Sequence, residues 1–129
     1  MKKIILAANW KLNKSPNDTR EFFKSFLSLV RLNSSLTSQL DKNVEVVFFP
    51  SAISLEASSQ CLEKSSIKFG GQNIFFESSG AFTGENSAQV IKQMGGTYAL
   101  IGHSERRQYF HETSSILNKK INHALSISL

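Results

Sequence analysis

The sequence predicts an α/β chain built on a parallel sheet. Three observations lead there. Four short apolar runs, at residues 4–8, 44–49, 67–71 and 98–101, are each bounded by Gly, Pro or polar residues, as suits strands buried on both faces. Segments of helical periodicity separate the runs. Three of the runs also stop abruptly in residues able to carry chemistry, as happens at the carboxyl ends of strands in ligand-binding α/β folds.

The elements follow in order. The first run ends in Asn9-Trp10-Lys11. Ser15-Pro16-Asn17-Asp18 then starts a helix, with Ser15 as its N-cap, proline at the first position and Asp18 closing the first turn. Phe22, Phe23, Phe26, Leu27 and Val30 recur at three- and four-residue spacing and form its apolar stripe. After the second run, a shorter helix is expected over 53–62. After the third, another is expected over 87–94, stopped by Gly95-Gly96. The last helix begins near Thr113 and is expected to bury Ile116, Leu117, Ile121, Ala124 and Leu125. The order is βαβαβαβα, which predicts right-handed crossovers in one domain over 1–129. No linker or internal sequence repeat interrupts it.

Composition narrows the function. At 129 residues, 40% hydrophobic and 19% charged, the chain is ordinary globular material. The net charge is +5, with a pI near 9.5. A basic surface can attract nucleic acid, membranes or small anions. Here no run of Lys or Arg exceeds two residues, so we expect neither a nucleic-acid nor a membrane partner. One cysteine, Cys61, rules out an intrachain disulfide and a cysteine-cluster metal site; it reads as a small buried hydrophobe in a helix. The opening Met1-Lys2-Lys3 followed by apolar residues 4–8 is too short for a secretory leader or a membrane span. A cytoplasmic protein is expected.

Chemistry is available in three places. Lys11 could neutralise a phosphate, and Asn9 could donate a hydrogen bond to a carbonyl or hydroxyl oxygen. Taken alone, Lys11 reads more readily as a strand-end lysine in water. Gly70-Gly71-Gln72-Asn73 permits close backbone approach at a strand end, and its amides could order a loop or a partner. The following loop carries Phe75 and Phe76, either as a subunit contact or packed on its own domain. In the third place, "ALIGHSERR", Gly102 allows a sharp turn and Ser104-Glu105 begins a short helix. His103 would sit at that helix's positive end, which disfavours an imidazolium. A neutral imidazole can still donate to an oxyanion. Glu105 and Lys11 could pair across the sheet. His111 and His123 read as surface or helix residues, and a structural role for His103 alone stays open.

Together, Asn9-Trp10-Lys11, Gly71-Gln72-Asn73, Ala81-Phe82-Thr83-Gly84-Glu85 and Ile101-Gly102-His103-Ser104-Glu105-Arg106-Arg107 resemble the signature segments of the triosephosphate isomerases, in that family's order and near its spacing. The resemblance runs from Lys3 to the last residue. It implies the first four βα units of an eight-stranded TIM barrel, a half-barrel, since a full barrel takes about 250 residues. It implies a cytoplasmic enzyme of glycolysis and gluconeogenesis, usually a homodimer. Such an enzyme interconverts dihydroxyacetone phosphate and glyceraldehyde 3-phosphate through an enediolate, without metal or cofactor.

By the same resemblance, Asn9 and Lys11 contact substrate and His103 is the electrophile, a neutral histidine that serves as a standard example of pKa tuning. Glu105 orients Lys11, Thr83 is the dimer contact reaching a second subunit, and Arg106 with Glu112 forms a charge pair behind the site. The family's general base lies on a later strand, so it is expected to be absent from 1–129. The isolated chain, a truncated or split product or an excerpt of a longer one, is expected to be inactive. The alternative is a non-catalytic half-barrel that self-associates or binds phosphorylated ligands.

Overall fold

The computed structural model describes residues 3–129 apart from the side chain of Asp41, and the Met1–Lys2 head of the opening stretch lies outside them. Four strands, β1 (Ile4–Asn9), β2 (Val44–Phe49), β3 (Lys68–Gly71) and β4 (Tyr98–Ala99), form one curled sheet in chain order. All three neighbouring pairs are parallel, with Ile4 opposite Val44, Val47 opposite Lys68 and Gly70 opposite Tyr98. Helices α1 (Pro16–Leu32), α2 (Ser34–Lys42), α3 (Leu55–Leu62), α4 (Ala88–Gln93), α5 (Ser104–Tyr109) and α6 (Ser114–Ser126) lie between and after the strands. The arrangement is a half-barrel of four βα units.

The core sits between the sheet's outer face and the helices, running from Phe23 of α1 through Leu55 and Leu62 of α3 and Ile91 of α4 to Ala124 of α6. Asp18 and Ser15 cap each other in a capping box that starts α1. The helix then sets Phe22, Phe23 and Phe26 against Phe48 of β2. Trp10, just past β1, stacks on Phe23 at 5.3 Å and meets Phe48 edge-on at 5.7 Å. Centroid separations in this range are favourable for aromatic pairs beyond simple burial. Because side chains alternate along a strand, Val47 and Phe49 point to the other face, where Phe49 meets Tyr98 edge-on. On that face Glu45 accepts hydrogen bonds from Lys3 and from the Tyr98 hydroxyl. At the open edge of the sheet, Ile4, Ile5 and Leu6 of β1 stay about half exposed, because β1 has no neighbour on its far side.

Several expectations need adjustment. Helix α2 was not anticipated: its segment is Ser-rich and lacks a strong apolar stripe. It is started by Asn33, whose Oδ1 accepts from the Leu36 N–H at 3.1 Å. The helix expected over 53–62 opens as a single 3₁₀ turn, Ala52–Ser54. Strand β4 is shorter than its apolar run, because its outer edge has no strand to extend the ladder. Cys61 is half-buried rather than buried. In α6 the buried stripe is Leu117, Lys120 and Ala124, whereas Ile121 and Leu125 are exposed. An apolar periodicity locates a helix; it does not choose which of two adjacent faces the rest of the chain covers.

Candidate active site

The carboxyl ends of the four strands open on one rim. Asn9 closes β1, and its Oδ1 accepts the Lys11 N–H at 2.9 Å. This local turn brings Lys11 into the left-handed region, φ 54°, unusual for a residue with a side chain. Two outside contacts hold it there. Gln72, one residue past β3, donates its Nε2 hydrogens to the carbonyls of Lys11 (2.9 Å) and Phe49 (2.8 Å). The Lys11 ammonium reaches Glu105 Oε1 at 2.7 Å. That hydrogen bond, opposed by desolvation and aided by the Lys11 charge, holds the Glu105 carboxyl below the usual carboxylate range.

His103 follows Gly102, whose φ of 80° makes the turn out of the β4 segment. It is the N-cap of α5, and its Nδ1 accepts the Glu105 N–H at 3.3 Å. A backbone N–H can only donate, so Nδ1 is the acceptor and the ring hydrogen lies on Nε2. The Glu105 carboxylate lies 3.6 Å from the same Nδ1. His103 thus presents Nε2 to the cleft as its donor.

These groups line one cleft of about 640 Å³, to which Asn9, Lys11, Gln72, Asn73, His103 and Glu105 contribute. Glu105 is the one carboxylate lining it among the described residues, and Lys11 occupies it. Thr83 does not line the cleft; it lies on an exposed loop over 81–85, whose Gly84 does. Phe82 of that loop packs on Phe75 at 4.6 Å, and Phe75 stacks on Phe76 at 4.2 Å. The loop's aromatics therefore cluster with one another, and Phe82 is still partly exposed.

Behind the rim, Arg106 Nε donates to Glu112 Oε1 at 2.8 Å, the pair anticipated from the sequence. The structure adds Lys120 of α6, whose side chain is only 4% exposed. Its ammonium donates to Glu112 Oε1 at 2.5 Å and to Asn73 Oδ1 at 2.7 Å. Burial alone would raise the Glu112 carboxyl, but the hydrogen bonds from Lys120 and Arg106 win and hold it below its ordinary value. Lys120 was missed because a lysine within an apolar stripe reads as its solvated edge. The available signal was its position, three residues after Leu117 and four before Ala124. Among the described residues, no group of three or more His, Cys, Asp or Glu could hold a metal ion, and no helix is long and apolar enough to cross a membrane.

The family model described as triosephosphate isomerase matches residues 4–129. The chain belongs to the triosephosphate isomerase family. It is 57% identical over 121 residues to the triosephosphate isomerase of Bdellovibrio bacteriovorus, a match spanning 94% of this chain and 46% of that protein. It is 42% identical over its full length to the enzyme of Dictyoglomus thermophilum, covering 49% of it, and 44% identical to that of Alkaliphilus metalliredigens, covering 48%. The chain thus spans about half the length of the curated relatives it matches.

Proposed function

We propose that this chain supplies the first half of a triosephosphate isomerase site. Dihydroxyacetone phosphate or glyceraldehyde 3-phosphate lies in the rim cleft. Lys11 offsets its phosphate charge, Asn9 contacts it, and His103 Nε2 donates to the substrate oxygens. Removing a proton beside a carbonyl builds negative charge on oxygen, and donors already in place stabilise that charge without reorganising. His103 then shuttles a proton between the two oxygens of the enediolate, and Glu105 positions Lys11. The observation that carries this reading is the convergence of Lys11, Glu105 and His103, held within 2.7 to 3.6 Å of one another through Glu105. No metal or cofactor enters it. By the same reading Thr83 contacts a second subunit in a homodimer, and the protein works in the cytoplasm.

The reaction also needs a base for the carbon-bound proton. Glu105, the cleft's carboxylate, is engaged by Lys11, so in this reading the base lies outside residues 1–129 and the isolated chain is inactive. A coupled isomerase assay on monodisperse protein tests this. Turnover at the level of a His103→Gln control is expected; turnover clearly above it would overturn the inactivity while supporting the site.

The exposed apolar side chains of β1 favour a second reading, a half-barrel that self-associates without catalysis, since an open apolar sheet edge templates pairing. Sedimentation separates the two: a discrete dimer that binds a phosphorylated ligand without turnover supports the second, and a monomer counts against it.

A further inference from the structure

We propose that Lys120 is a positioning residue for Lys11, acting through a closed ring of contacts that joins both ends of that lysine. The proposal rests on the functional reading above, in which Lys11 must stay fixed on the rim.

The ring can be traced atom by atom. The Lys11 carbonyl accepts from Gln72. Asn73, the next residue, accepts from the Lys120 ammonium through Oδ1. Lys120 donates also to Glu112 Oε1, which Arg106 Nε shares. Arg106 adjoins Glu105 on α5, and Glu105 accepts from the Lys11 ammonium. The circuit therefore returns to the residue where it began. Lys11 needs such support, because its left-handed backbone persists only when its surroundings impose it.

Lys120 is the member that joins the two arcs. One arc is the strand end that grips the Lys11 backbone; the other is the helix that grips its side chain. An apolar residue on that face of α6 would pack as well and would spare the desolvation of a charge. What the ammonium adds is direction, with donors aimed at two different loops. Asn73 extends the link outward, donating from Nδ2 to Glu85 Oε2 at 3.2 Å.

The test reads the Lys11–Glu105 contact and needs neither turnover nor ligand, so a failed activity assay leaves it standing. Carboxyl carbon-13 titration of the 129-residue chain follows Glu105, whose titratable neighbours are Lys11 and His103. In Lys120→Met with its amide dispersion intact, the Glu105 midpoint should shift upward toward that of an ordinary glutamate, and Lys120→Arg should restore part of the depression. Asn73→Ala breaks the ring outside the buried pair and should shift it the same way; it replaces Lys120→Met if that variant fails to fold. An unchanged Glu105 midpoint in whichever of the two variants is folded would overturn the proposal and leave Lys120 a stability residue only.

Discussion

The Lys11 ammonium and the Glu105 carboxylate meet at 2.7 Å across 94 residues of sequence. One stands past the end of β1, the other in the first turn of α5 after β4, so the pair spans the open side of the curled sheet. Both side chains are about half exposed, and such a pair adds little to stability. Its effect is geometric.

Glu105→Gln should therefore leave the melting temperature nearly unchanged yet release the Lys11 side chain. The folded Glu105 carboxyl is lowered, so the contact is present above the ordinary carboxylate range and is lost as pH falls through the lowered value. Lys11 side-chain resonances in the wild type should move in acid toward those of the variant at neutral pH. Resonances that stay put across that range would contradict the pairing.

The core prediction concerns Phe23, which is fully buried between Trp10 and Phe48. Phe23→Ala should cost about 3–5 kcal/mol, a large part of the roughly 5–15 kcal/mol that stabilises a typical domain. Leu12→Ala, at a residue 96% exposed on the rim, should stay within about 0.5 kcal/mol. Urea midpoints compare the two; equal effects would refute the assignment of the core.

Glu112 binds two cations in a buried setting. Glu112→Ala leaves both without their carboxylate partner and should cost about 3–5 kcal/mol. Since the folded carboxyl lies below its ordinary value, its stabilisation is complete above the unfolded glutamate range and fades as pH falls through the folded one. Wild type and variant should thus converge in acid when urea midpoints are followed against pH. Parallel curves would show that the charge of Glu112 does not matter.

Gly102 turns the chain at φ 80° directly before His103, and a Cβ there would come within 3.3 Å of Leu117. Gly102→Ala should destabilise by more than about 1 kcal/mol and disturb the His103 ring. Long-range proton–nitrogen spectra of the imidazole should show a wild-type ring protonated on Nε2 and an altered tautomer balance in the variant. An unaltered ring would mean that the turn is not what sets it.

Much of this was legible in the sequence, for physical reasons. The alternation of apolar runs and helical stripes gave a parallel sheet, because β1 to β4 are short, two-faced and separated by amphipathic segments. Ser15-Pro16-Asn17-Asp18 announced α1 through its capping chemistry alone. Lys11, His103 and Glu105 could be anticipated on one rim because each follows a predicted strand end. The rest was hidden where tertiary context overrides local pattern. Helix α2 has weak propensity and is set by the Asn33 cap. The buried face of α6 is chosen by Glu112 and Asn73, which draw Lys120 inward in place of Ile121. The double grip of Gln72 joins three segments that no local window contains.

The central claim is that Asn9, Lys11 and His103 form one rim that receives a triose phosphate. Its most direct test is a nuclear magnetic resonance titration of the labelled chain with dihydroxyacetone phosphate. The account predicts saturable shifts at Asn9, Lys11 and the His103 ring, all lost together in Lys11→Met. Shifts confined to the amino ends of the strands, or none at the rim while the chain remains folded, would contradict it.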